Sequence, residues 1–167
     1  MAIEIIETRP DSPDAVALIE ELEAHLAPQY TVESRHGFSV DRLIREGVTF
    51  FVARVDGAPA ACGGVLLVPG EYAEVKRMYV RPAFRGRGLG RAVLEHLAAH
   101  ARARGFSILR LETGIHQVEA IAMYERAGFR PIPPFGPYRD DPLSRCYERR
   151  ESPVSRISTG AAPRPRE

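Results

Sequence analysis

Tryptophan is missing from these 167 residues, lysine occurs once, at Lys76, and cysteine only twice, at Cys62 and Cys146. Two distant cysteines supply neither a disulfide framework nor a metal-ligand spacing, and reduced thiols in a cytoplasmic protein are the simple reading. No apolar stretch approaches the roughly 20 residues of a membrane span. The opening, MAIEIIETRP, alternates like a strand and lacks the zones of a signal peptide. A net charge of +1 removes any global field that would favour nucleic acid or an acidic membrane as partner. The other 22 of the 23 basic residues are arginine, a bias that reads as genomic composition rather than function.

What is present suits one globular domain: 44% of residues are hydrophobic and 27% charged. IEIIET (3–8) reads as a first strand. Ser12 and Pro13 cap a helix over 12–26, and 39–47 forms a shorter helix closed by a glycine. Three strand-like runs follow, 48–55, 58–68 and 71–80, separated by the turns Asp56-Gly57 and Pro69-Gly70, which predicts an antiparallel meander. Residues 88–104 are helical, with Leu89, Val93, Leu97 and Ala101 on one face. Strand 107–113, helix 118–128 and late strands at 129–133 and 144–150 complete a domain over 1–150. From Glu151 the tail ESPVSRISTGAAPRPRE is rich in Pro, Ser, Arg and Gly, without periodicity, and reads as disordered over 151–167.

Between the meander and the long helix lies RGRGLGR (85–91). Its glycines permit close backbone approach, and a helix start offers unpaired N–H groups at a positive dipole end, so the loop suits a phosphate-bearing group. It is not a Walker loop, which needs Gly-Lys followed by Ser or Thr. Nor is it a dinucleotide fingerprint, whose spacing and position after a first strand differ. What remains is R-x-x-G-x-G at Arg85, Gly88 and Gly90.

This segment resembles the acyl-CoA-dependent N-acetyltransferases of the GNAT superfamily. A second motif in register, Ala120, Tyr124, Gly128 and Phe129 within LETGIHQVEAIAMYERAGF (111–129), strengthens the likeness. The resemblance implies an α/β fold: a mixed, mostly antiparallel sheet with flanking helices, split by a V-shaped gap between central strands. It implies acetyl-CoA as co-substrate, with Arg85, Gly86, Arg87, Gly88, Leu89, Gly90 and Arg91 around the pyrophosphate. Met78, Tyr79 and Val80 would meet the pantetheine arm. Gln117 and Tyr124 complete the implied coenzyme contacts, although many members carry Asn where this chain has Gln117.

The reaction is attack of a neutral amine on a thioester. Deprotonating a lysine-like ammonium at pH 7 costs about 4.6 kcal/mol, so a base is useful. By resemblance Glu74 is the candidate base; the alternative is a strand carboxylate paired with Lys76 or an arginine. Tyr124 is the implied general acid at the sulfur. A phenol is a weak donor to a thiolate, uphill by roughly 2 kcal/mol, so hydrogen bonding to the sulfur is its better-supported role.

The acceptor side falls, by resemblance, on 24–37 and 134–148, with Tyr30, Ser34, Arg35, His36, Tyr138 and Ser144 as pocket candidates. Arg35 reads either as a carboxylate-binding arginine or as a surface one. His96 and His100 are four apart on a helix, but no third ligand is evident and no metal is expected. Cys146 reads as packing rather than nucleophile. The expected activity is direct acetyl transfer to the primary amine of a small molecule. The alternatives are a non-catalytic acyl-CoA-binding module and a protein N-acetyltransferase. A homodimer is common in the family.

Overall fold

The computed structural model describes residues 1–152, so all but the first two residues of the expected tail lie outside the described residues. Strand β1 (Ile3–Glu7) leads into α1 (Pro13–Leu26), whose first turn is capped by the Ser12 hydroxyl accepting from the Ala15 amide at 3.3 Å. A second short helix, α2 (Val40–Arg45), is capped in the same way by Ser39. The meander is β2 (Thr49–Val55), β3 (Ala58–Val68) and β4 (Tyr72–Val80), with antiparallel pairing throughout. Then come α3 (Leu89–Ala103), β5 (Ile108–Gly114), α4 (Val118–Arg126), β6 (Arg130–Ile132) and β7 (Ser144–Arg150).

The strands form one seven-stranded sheet in the order β1-β2-β3-β4-β5-β7-β6, and only β4 and β5 run parallel. One face is covered by α3 and α4 over Val65, Val75, Leu109 and Leu111. The other is covered by α1 and α2 over Phe50, Val52 and Cys62. The predicted stripe on α3 is buried as expected, with Leu94 and Ala98 widening it. Each fully buried Leu or Val there contributes about 1.5–3 kcal/mol.

Two irregularities in β4 open the middle of the sheet. The β4–β5 pairing covers only Ala73–Val75 against Leu109–Leu111, although β4 continues to Val80 and β5 to Gly114. The strands therefore part and leave a gap. On its other side β4 bulges: Cys62 pairs Tyr79 and Gly64 pairs Lys76, so Arg77 and Met78 together oppose Gly63. Arg77 takes φ +57°, an uncommon conformation for a side-chain-bearing residue. The extra residue inverts the alternation. Before it, Ala73 and Val75 face α3 and α4; after it, Met78 and Val80 pack on that face while Tyr79 turns to α1. Glu74 and Lys76 consequently lie on the α1 side, ahead of the bulge.

Three short 3-10 turns, Val32–Ser34, Pro82–Phe84 and Gly136–Tyr138, occupy segments that the sequence left unassigned, because three residues carry no readable period. Glu151, expected to begin the tail, is instead fastened to the domain. Its amide donates to the Ser107 carbonyl at 2.7 Å, and its carboxylate pairs with Arg149 at 2.6 Å and Arg102 at 3.0 Å.

Candidate active site

The gap between β4 and β5 holds an outer cleft of about 740 Å³ and an inner cavity of about 130 Å³. Leu22, Met78, Gln117, Ala120 and Tyr124 line both, so the two spaces meet there.

The outer cleft runs along the end of β4 to the start of α3. Gly86 and Gly88 take φ +77° and +76°, a left-handed conformation that glycine adopts without strain. Gly88 caps α3, and the first intrahelical bond is Ala92 N–H to the Gly88 carbonyl at 3.0 Å. The amides ahead of it have no partner within the helix, and they sit at its positive dipole end with no acidic residue in the first turn. Arg85 and Arg91 stand beside them, Arg85 with its Nε donating to the Val80 carbonyl at 3.0 Å and Arg91 paired to Glu95 at 3.1 Å. This is a nest for an anion on a long cleft, which fits a coenzyme with a pyrophosphate and an extended arm. Every residue expected from sequence on the coenzyme side lines the cleft except Arg87, whose guanidinium turns to the Met1 sulfur and the Phe84 ring. Gln117 lines it too, but its side-chain amide is held by Gln29 at 2.9 Å and Tyr30 at 3.3 Å.

The inner cavity is polar and closely tied together. Glu74 and Lys76 form an ion pair at 2.7 Å, both side chains under a tenth exposed. Tyr138 joins them: its hydroxyl donates to Glu74 Oε2 at 2.6 Å and accepts from Lys76 Nζ at 2.6 Å. The ammonium also lies 4.1 Å from the centre of the Phe38 ring. Burial, with the Glu74 charge behind it, pushes the Tyr138 phenol well above its ordinary value, so it stays protonated. Glu112 stands on β5 just past the last pairing with β4, and its Oε1 accepts from the Ser144 hydroxyl at 2.9 Å. Burial raises its carboxyl above the usual value, the Glu74 charge adding to that, against Ser144, His36 and Lys76.

The loop over the cavity is pinned to the loop before β7. His36 meets Asp141 at 2.6 Å and Ser34 donates to it at 3.4 Å. Although burial opposes its charge, the Leu143 amide, His36 and Ser34 hold Asp141 below the ordinary carboxylate value. Tyr30 reaches the end of β5, its hydroxyl accepting the His116 amide at 2.9 Å. A Cβ at Gly114 would overlap the Tyr30 ring, so glycine is needed there for close approach. Tyr30, Ser34, Arg35, His36 and Tyr138 all line the cavity, as does Glu74. Ser144 does not: β7 lies beyond β5 from the gap, and the buried Ser144 hydroxyl is turned to Glu112.

Tyr124 projects from α4 into the junction and is 5% exposed. Burial pushes its phenol well above the ordinary tyrosine value, and Glu112 adds to the shift. Sequence reasoning singles out neither Glu112 nor, except as a partner for Glu74, Lys76. The alternation of SILRLET does put Glu112 on the face opposite core Leu109 and Leu111, but it says nothing of what walls that face. His96 and His100 lie edge-on to Phe51, with ring centres at 4.7 and 5.4 Å, in packing positions. Among the described residues no helix is long and apolar enough to cross a membrane.

A split sheet with an anion nest at one end and a buried, charged cavity at the other suits group transfer from a long anionic carrier. The sequence profile of the acetyltransferase (GNAT) family matches residues 8–129, and the chain belongs to that family. It is 42% identical over 148 residues to an IAA acetyltransferase of Azospirillum brasilense, covering 88% of this chain and 97% of the relative. Among solved structures, a candidate acyl-CoA N-acyltransferase of Klebsiella pneumoniae superposes with TM-score 0.75 at 34% identity, over 89% of this chain and 97% of that one. The PaiA N-acetyltransferase of Thermoplasma acidophilum, solved with coenzyme A, shares the fold at TM-score 0.70 and 20% identity, over 90% and 99% of the two chains.

Proposed function

We propose that this enzyme moves an acetyl group from acetyl-CoA to the primary amine of a small molecule by direct transfer. The observation that carries the reading is the meeting of an anion-nest cleft and a buried polar cavity at Tyr124. Acetyl-CoA supplies an activated acyl thioester. Gly86, Gly88, Leu89, Gly90 and the flanking Arg85 and Arg91 hold its pyrophosphate, and the backbone of Met78 to Val80 receives the arm.

Glu112 is the better base of the two cavity carboxyls. Protonating Glu74 would discard the charge of a buried ion pair with Lys76, whereas Glu112 has only a neutral hydroxyl partner. Glu112 takes a proton from the entering ammonium, the freed nitrogen lone pair forms the C–N bond, and the C–S bond breaks. Tyr124, whose phenol is reluctant to ionise, steadies the departing sulfur with a hydrogen bond; the thiolate's proton comes from the amine's second N–H by way of solvent or Tyr124. Glu74, Lys76 and Tyr138 act as a rigid wall that fixes the acceptor.

A cavity of about 130 Å³ under pinned loops supports a small acceptor over a protein terminus, which needs an open groove. Buried, unpaired Cys62 and Cys146 accord with a cytoplasmic setting. Calorimetry with acetyl-CoA tests the reading, using ATP and NAD as controls and the double variant Arg85→Ala, Gly88→Ala alongside. Selective binding lost in the variant supports it; no binding, or binding the variant keeps, overturns it.

A further inference from the structure

We infer that the acceptor is a small amino carboxylic acid whose carboxylate is bound by Arg35, an inference that rests on the acetyl-transfer reading above. Charge pairing around the cavity leaves one guanidinium short of a full partner. Lys76 is matched by Glu74. Arg77 is matched by Glu23 and also donates from Nε to the Phe38 carbonyl at 2.9 Å. Arg35 has only a share of the same Glu23, with Nη1 to Oε2 at 3.6 Å, beyond hydrogen-bond length. Two guanidiniums thus divide one carboxylate. Among the described residues, Arg35 Nε is moreover buried with no hydrogen-bond partner. A buried donor without a partner is costly and calls for an explanation.

Several neighbouring polar groups are already committed. Ser34 and His36 are turned to Asp141, and the Gln117 amide is held by Gln29 and Tyr30. Arg35 lines the cavity with its one carboxylate contact beyond hydrogen-bond length, and its planar fork matches a carboxylate in two parallel bonds. Size restricts the ligand further. About 130 Å³ is close to the volume that admits benzene, on the order of six non-hydrogen atoms. Glycine, alanine and β-alanine fall in that range.

The two ends of such a zwitterion are matched, its ammonium by Glu112 and its carboxylate by Arg35. A plain alkylammonium would satisfy Glu112 but leave the Arg35 guanidinium without a full partner. The transfer leaves the carboxylate unchanged: one N–H bond is replaced by the amide C–N bond, the C–S bond is replaced by S–H, and the ammonium's extra proton leaves through Glu112.

The test compares glycine, alanine and β-alanine with their methyl esters and with ethylamine, in wild type, Arg35→Gln and Arg35→Lys. Thiol release reports turnover, and calorimetry follows N-acetylglycine binding to the coenzyme A-loaded protein. The free acids are expected to exceed their esters and ethylamine at least about tenfold in kcat/KM. In Arg35→Gln that ratio falls to within about twofold and N-acetylglycine binding weakens at least about tenfold, with part of both restored in Arg35→Lys. Esters or ethylamine used as well as the acids by wild type, or a ratio that Arg35→Gln keeps, would overturn the inference and leave acetyl transfer standing. So would acetyl-CoA binding without acetylation of any acid in the panel. Absence of acetyl-CoA binding would remove both readings.

Discussion

Along the gap between β4 and β5, the outer cleft presents backbone amides, glycines and exposed arginines at its α3 end, while the inner cavity presents buried side chains held in ion pairs. Under the proposed function, the difference follows from what each would recognise. A pyrophosphate is large, highly charged and satisfied by a row of amides, so a helix start and two left-handed glycines suffice. A small acceptor offers few atoms, and specificity has to come from individually placed charges such as Arg35, Glu74 and Glu112. Substitutions should therefore divide cleanly into those that affect one ligand and those that affect the other.

The largest effect is expected from Glu112→Gln, which keeps the shape and the Ser144 hydrogen bond but cannot take a proton. Loss of a general base lowers kcat/KM by about 10²–10⁴-fold. Acetyl-CoA affinity by calorimetry should stay at the wild-type value, because Glu112 lines only the inner cavity. A near-normal rate in this variant, with Glu74→Gln impaired instead, would return the base role to Glu74.

Next is Lys76→Met, which strands a buried Glu74 carboxylate. Breaking one side of a buried ion pair costs about 3–5 kcal/mol, and the 7% and 6% exposures of the two side chains leave little water to compensate. Denaturant unfolding should show that loss, while the double replacement of Glu74 and Lys76 by Leu and Met recovers most of it. Equal stability of Lys76→Met and wild type would mean that the cavity wall is solvated, and the contrast between cleft and cavity would lose its basis.

The coenzyme side is legible in the sequence because its information is local. Arg85 to Arg91 are consecutive, and their glycines and the helix that follows state the turn, the cap and the free amides within a dozen residues. The acceptor side is legible only as a set of names. That Tyr138 clamps Lys76 and Glu74 depends on contacts 62 and 64 residues apart in sequence. The bulge at Arg77 has no signal in EVKRMYV, where simple alternation would place Tyr79 on the same face as Val75. Ser144 is expected in the pocket because chain proximity to Tyr138 does not reveal that β5 stands between β7 and the gap.

A smaller effect isolates the nest. A Cβ at Gly88 meets nothing within 4 Å, so Gly88→Ala disturbs only the backbone. Holding alanine in the left-handed region costs roughly 1–2 kcal/mol, and relaxation of the loop should raise the acetyl-CoA Kd about tenfold. The acceptor KM at saturating coenzyme is expected to be unchanged. A shift in acceptor KM of the same size would show that the two spaces are coupled through Tyr124 and are not separable.

The smallest effect is a pH dependence of stability. Burial raises Glu112 in the folded protein above the value it has unfolded. Its contribution to stability is therefore complete below the unfolded value, near 4.3, and is lost as pH rises through the higher folded value. A difference of one pH unit between the two values is worth about 1.4 kcal/mol. Gln at this position has no proton to lose, so Glu112→Gln should gain in Tm relative to wild type at pH 8 by more than at pH 4, by a few degrees. An identical Tm difference at both pH values would mean that Glu112 is ionised in the folded protein at no cost. Its open oxygen would then be no better suited than Glu74 to accept a proton from an amine. The stability that the folded protein gives up at neutral pH and the readiness of that carboxyl to act as a base have one origin, the removal of Glu112 from water.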